Sequence, residues 1–195
     1  MEKKINTKDL VYLGTFTVLF MMATVIGFSV TFTPIIQFSR MFISAFLGGP
    51  FYLLFVTRVQ KPCAVLIMGL FSSVLVGWLL FGSPVYALVA FAFFVAGELI
   101  LFVGKYSNLK MIMLSYIPVA FWPFGPYGAW WYDTEAIYDL SVSSTYTVEF
   151  TDGILALINS TSLVLVLAST LIGGILSILF SKTLFKKHFK RAGLI

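Results

Sequence analysis

The chain has 195 residues, 59% of them apolar and only 11% charged, where soluble domains carry about 25% charged residues. With 21 Phe and so little polar surface, a water-soluble globule and a disordered chain are both excluded, and lipid becomes the solvent for most side chains. One cysteine, Cys63, and one histidine, His188, exclude an intramolecular disulfide and a multi-ligand metal site, and no cofactor is expected.

A spanning helix needs about 20 apolar residues, and cutting the chain at charges and at Pro or Gly breaks leaves six such pieces. The spacing predicts helices over 10–30 and 34–57, separated by a tight turn at Thr31-Phe32-Thr33-Pro34. Helices over 62–81 and 84–104 follow, broken at Gly82-Ser83-Pro84. A fifth, imperfect span covers 111–131, and Asp152 as N-cap opens a sixth over 153–181. Residues 132–152 read as a loop and 182–195 as a basic tail. The expected architecture is a single all-α membrane domain over 1–195, a bundle of six transmembrane helices. The run from Leu10 to Val30 exceeds the roughly 7–15 residues of a signal-peptide core and has no small-x-small cleavage site, so helix one is expected in the mature protein.

Orientation follows from the cations, because cytoplasmic loops are enriched in Lys and Arg. Lys3, Lys4 and Lys8 precede helix one, Arg58 and Lys61 join helices two and three, and Lys105 and Lys110 join four and five. Lys182, Lys186, Lys187, Lys190 and Arg191 close the chain, which leaves Arg40 alone of the 13 Lys and Arg on the other side. Both termini are therefore expected in the cytoplasm. The 132–152 loop, with Asp133, Glu135, Asp139, Glu149 and Asp152, is expected outside. Phe185 and Phe189, four apart in the tail, suit an interfacial helix on anionic lipid. Topology thus explains the net charge of +5, and nucleic-acid binding is not expected.

In lipid, helices associate by close approach at small residues four apart. Helix one has Ala23 and Gly27, helix three Gly69, Ser73 and Gly77, and helix six Ser169, Gly173, Ser177 and Ser181. Such stripes serve internal packing or dock a separate membrane subunit, and both uses need the same residues.

Absences narrow the chemistry. No Gly-x-x-x-x-Gly-Lys-Ser/Thr loop binds ATP phosphates, one histidine forbids a His-Glu-x-x-His helix, and a Ser/His/Asp system would have to recruit His188 from the basic tail. An enzyme is not expected. Pro118, Pro123 and Pro126 with Gly125 and Gly128 break helix five at a depth where irregular backbone is tolerated only against protein or a wet cavity. Trp122 reads there as a pocket wall for a flat or apolar ligand, while Trp130 and Trp131, after Tyr127, read as wall or as interfacial aromatic belt. Arg40, two turns into helix two, either snorkels outward or faces the bundle to pair with an anionic ligand or a loop acid. Glu98, nearer the cytoplasmic side, is expected to pair with Lys105 or with a partner subunit. Asn159 and its Ser and Thr neighbours form a polar face on helix six, for which a ligand is one partner. The loop acids from Asp133 onward are a solvated lid or an attraction for a cation, so ligand charge stays open. A small-molecule site is expected between the outer ends of helices four to six.

Several segments carry a resemblance: Lys8-Asp9-Leu10, Leu47-Gly48-Gly49-Pro50-Phe51-Tyr52-Leu53-Leu54-Phe55, Lys61-Pro62-Cys63-Ala64-Val65-Leu66-Ile67-Met68-Gly69, Gly97-Glu98-Leu99-Ile100 and Lys186-Lys187-His188-Phe189-Lys190-Arg191-Ala192-Gly193. Together they resemble the MptD (also called Trep_Strep) family of substrate-binding S components of energy-coupling factor (ECF) transporters. The resemblance implies a six-helix subunit that captures a micronutrient from outside and delivers it by toppling against a T subunit driven by two cytoplasmic ABC ATPases. S components often dock through Ala-x-x-x-Ala on helix one. Here Ala23-x-x-x-Gly27 is the nearest match, with the Gly69, Ser73 and Gly77 stripe as a rival. An autonomous ion-coupled transporter and a membrane enzyme or scaffold are the alternatives.

Overall fold

The apolar runs become helices whose ends are set by local chemistry. A computed structural model describes residues 5–29, 33–144 and 146–185, and among these every regular element is helical. Helix α1, Thr7–Phe28, is opened by a capping box in which Asn6 and Asp9 each accept the other's backbone N–H. A 3-10 turn, Ile36–Ser39, leads straight into α2, Arg40–Val59. Helix α3, Ala64–Ser73, continues without a break as a π-helical segment, Val74–Leu80. Helix α4, Pro84–Val103, starts with the proline in its first turn, where no N–H is needed.

The next stretch differs from the expected fifth span over 111–131. Helix α5, Leu109–Val119, stops just past Pro118, and the chain climbs on through i→i−3 bonds at Phe121, Trp122 and Phe124 into two four-residue helices, α6 (Phe124–Tyr127) and α7 (Ala129–Tyr132). Three prolines each remove a donor from this path. The expected outer loop is helical too, with α8 at Thr134–Ser144 and α9 at Val148–Leu155. The last long helix, α10, spans Ser160–Leu184, so it begins seven residues later than expected and is capped by Asn159, not by Asp152, which lies inside α9. Among the described residues four helices are long and apolar enough to cross a membrane: Thr7–Gly27, Ile36–Val59, Pro84–Val103 and Ser160–Leu184. Their outward faces are oily, with Leu88 and Phe102 each 69% exposed, an arrangement only lipid can solvate. The basic tail from Lys186 onward, the cations Lys3 and Lys4, and most of the turn at Thr31-Phe32-Thr33 lie outside the described residues.

Helix α2 is the hub, packed against α1 on one side and α10 on the other. Pro50 inside it has no N–H, which strands the carbonyl of Phe46 one turn earlier. Ser177 of α10 donates its hydroxyl to that carbonyl at 2.5 Å, and Tyr116 of α5 donates to the adjacent Ala45 carbonyl at 2.6 Å. Gly49 makes room for both, since a Cβ there would lie 2.8 Å from the Tyr116 ring and 2.9 Å from Ser177 Cβ. The Gly-Gly-Pro segment is thus a packing device in which neighbouring helices satisfy the backbone that proline frees.

The small-residue stripes offered as docking faces are consumed inside the bundle. Gly27 lies on Ser44, Gly69 on the Phe94 ring and Gly77 on the backbone of Tyr86 and Ala87, while Ala23 and Ser73 are buried. The expectation that Ala23, Gly27, Gly69, Ser73 and Gly77 face a partner is corrected accordingly: in lipid, backbone contact is the main source of cohesion, and these helices spend it on each other.

The end of the bundle that carries the loop cations is tied by two carboxylates. Asp9 pairs with Lys61 at 2.5 Å. Glu98, 7% exposed, pairs with neither Lys105 nor any other cation among the described residues; its Oε1 accepts from the Cys63 N–H at 2.7 Å and from the Tyr106 hydroxyl at 2.8 Å.

Candidate functional site

At the opposite, acidic end, the start of α2, the end of the π-helical segment, α6, α7 and α8 enclose a cavity of about 370 Å³. Its floor is the 3-10 turn and the first residue of α2. Gln37 and Arg40 are three apart, and side chains at that spacing eclipse in a 3-10 helix, so both reach the same space. Leu80 and Phe81 form one wall, Pro126, Tyr127 and Trp130 another, and Ile137, Leu140, Ser141, Ser144 and Tyr146 the roof.

Arg40 begins α2 instead of lying two turns into it. It does not snorkel: it is 7% exposed and donates from Nη2 to the Tyr146 hydroxyl at 2.6 Å, with its guanidinium 5.9 Å from that ring's centre. Tyr146 lies between α8 and α9 and stacks on Phe150 at 4.8 Å, so its bond to Arg40 latches the α8–α9 cover to the floor. Tyr127 donates to the Gln37 carbonyl at 2.9 Å. Gln37 itself is 1% exposed, and its Oε1 has no partner among the described residues; an acceptor left dry and unpaired costs about 1–3 kcal/mol.

Of the residues singled out from sequence, the structure brings Arg40, Tyr127 and Trp130 to this cavity. The other four lie elsewhere. Trp122 is in the core, 1% exposed and 5.9 Å from the rings of both Phe20 and Phe94, because the proline-broken path turns it inward. Trp131 stacks on Phe124 and donates to the Asn159 carbonyl at 3.1 Å. Asp133 accepts from the Tyr86 hydroxyl at 2.9 Å. Asn159 caps α10, its Oδ1 accepting from the Ser162 N–H at 3.0 Å. Asn159→Ala is therefore expected to cost about 1 kcal/mol of stability, seen as a lower melting temperature in detergent, while Asn159→Asp retains most of it.

Two more open hollows lie elsewhere among the described residues. One, of about 650 Å³ between the 3-10 turn and α10, is lined by Ile35, Phe38, Ser39, Asn159, Ser162 and Leu165 among others; its Ser39, Asn159 and Ser162 are already hydrogen-bonded to nearby backbone. The other is a groove between α8 and α9 containing Glu135, Asp139 and Asp152. Of these three, the Arg40 cavity is the one lined by a buried charge and by a side chain whose acceptor has no partner among the described residues. Gln37 was detectable in the sequence, as a lone amide in an apolar run three residues before Arg40. Tyr146 carried no signal, because only folding of α8 and α9 brings it across 106 residues to Arg40.

A family model described as "hypothetical bacterial integral membrane protein (Trep_Strep)" matches residues 7–191. The chain belongs to that family. No curated protein and no solved structure matches this Trep_Strep chain. Family and apolar helices together make it a multi-pass membrane protein.

Proposed function

We propose that this Trep_Strep protein is the S component of an ECF-type ABC importer, a subunit that captures a small micronutrient outside the cell membrane and delivers it by reorienting against a T subunit powered by two ATPases. In this reading the bundle crosses the bilayer six times, α3 with its π-helical extension and the broken α5–α7 path completing the four long helices. Both termini are cytoplasmic and the acidic end faces outside. The chain itself makes no covalent change and hydrolyses no ATP. The observation that carries the reading is the cavity at the acidic end, floored by buried Arg40 and roofed by α8 and Tyr146, in a chain with no phosphate-binding loop of its own. A site enclosed this way suits binding and release through movement of its cover better than continuous conduction.

The test is affinity purification of the tagged chain from its native membrane in mild detergent, followed by mass spectrometry of what accompanies it. A T-type membrane protein and two ATPases in stoichiometric amounts are expected. Recovery of the chain alone from every detergent tried removes the coupling argument and puts autonomous transport first.

A further inference from the structure

We infer that the Arg40 cavity binds a small soluble organic anion, a carboxylate or phosphate carried on a flat ring that also bears an N–H or O–H donor. The inference rests on the proposed capture role for the site being occupied, and settles the ligand charge that the sequence left open. Three observations carry it. First, among the described residues Arg40 is the one charged residue lining the cavity, and no Asp or Glu among them lines it. Glu135, Asp139 and Asp152 instead border their own groove, and Asp133 meets Tyr86. A guanidinium held in a poorly solvated wall favours an anion far more than it would in water, and its planar fork matches carboxylate or phosphate with two parallel hydrogen bonds. A cationic ligand would meet the positive guanidinium with no carboxylate among the described lining residues to offset it. Second, Gln37, on the same floor, holds an Oε1 acceptor with no partner among the described residues, which a donor on a ligand that shifts this side chain would satisfy. Third, the remaining walls are Trp130, Tyr127, Phe81, Leu80 and Ile137, which bury and stack on a flat apolar body. A volume of about 370 Å³ lies at the small end of ligand sites and admits a molecule of one or two rings.

An anionic lipid headgroup presents the same charged chemistry. The roof of α8 and Tyr146 over the cavity favours a soluble molecule, since a headgroup must trail its acyl chains out through that cover.

The test uses the full chain purified in non-ionic detergent and follows quenching of tryptophan fluorescence on titration with para-hydroxybenzoate, phenyl phosphate, para-hydroxybenzamide and para-hydroxybenzylammonium. The two anions are expected to bind about tenfold or more tightly than the amide, and the ammonium not at all. Arg40→Gln is expected to weaken the anions about tenfold or more, the usual scale of a charge-assisted hydrogen bond, and to leave the amide unchanged. Should Arg40→Gln fail to fold, Gln37→Leu is the independent variant: it is expected to weaken para-hydroxybenzoate and to leave plain benzoate unaffected. An amide or ammonium that binds as well as the carboxylate overturns the inference. So does anion binding that survives Arg40→Gln, or the absence of any anion response in the folded protein. Adding phosphatidylglycerol to the detergent separates the two sources: if it abolishes the carboxylate response by competition at Arg40, the site belongs to headgroups and the soluble-ligand assignment falls. Because these titrations need no partner, failure here leaves the co-purification result standing, and failure to co-purify leaves the ligand class standing.

Discussion

Gly77→Ala is expected to lower the melting temperature of the purified protein, whereas Gly14→Ala is expected to raise it slightly. A Cβ at Gly77 would lie 2.5 Å from the Ala87 nitrogen and 2.6 Å from the Ala87 Cα. Both are backbone atoms of α4, so no rotamer change relieves the contact and the helices must separate. Overpacking of this kind costs about 1–3 kcal/mol, roughly 2–4 °C per kcal/mol for a chain of this size. At Gly14 an added Cβ meets nothing within 4 Å, and replacing glycine in a helix is worth about 0.5–1 kcal/mol in the other direction. The pair thus separates the loss of glycine from the loss of contact. Gly77 also lies in the π-helical segment whose end, with Phe81, forms a wall of the Arg40 cavity. π-helical stretches are rare and concentrate at functional sites, so Gly77→Ala is expected to weaken anion binding along with stability. Equal melting temperatures for the two variants would mean that the π-helical segment and α4 are not in backbone contact.

Glu98→Ala is expected to destabilise the opposite end of the bundle by about 1–3 kcal/mol, through two hydrogen-bond donors left without their acceptor. The loops there pass through left-handed backbone at Gln60, Cys63, Lys105 and Tyr106, with φ of 37°, 64°, 50° and 59°, a conformation that costs an L-residue roughly 1–2 kcal/mol. The Glu98 carboxylate holds two of these four residues, Cys63 and Tyr106, and it stands at the N-terminal end of α3, where an anion is favoured. Burial, with the nearby carboxylate adding to it, pushes the Tyr106 phenol well above its ordinary range, so it remains a donor at any working pH. Glu98→Gln keeps a carbonyl acceptor and is expected to melt close to wild type. Hydrogen exchange at residues 60–64 and 104–107, with melting temperature, reads both variants. If Gln is as damaging as Ala, the charge itself is required, and ion coupling through Glu98 becomes the reading to pursue.

Much of the fold was legible because it depends on local composition. The long apolar runs at α1, α2, α4 and α10, the break at Gly82-Ser83-Pro84 and the irregular path after Pro118 all follow from transfer free energy and missing backbone donors. The candidate site was legible only in part. Arg40, Tyr127 and Trp130 were marked by rarity or by position, but Trp122 was placed in a pocket wall and lies in the core, and Asn159 was read as a ligand group and is a helix cap.

What the sequence by itself determined is that lipid is the solvent, that the short polar joints carry cations while residues 132–152 carry five of the eight acids, and that the irregular path after Pro118 must be shielded by protein. What only the tertiary structure decided is which way each side chain faces. In water an apolar stripe marks the buried side of a helix. In lipid the outside is as apolar as the inside, so Leu88 in contact with solvent and Phe94 in the core look alike along the chain. The direction of Arg40, the use of Gly27, Gly69 and Gly77, and the meeting of Tyr146 with Arg40 depend on contacts between segments distant in sequence, which periodicity does not encode.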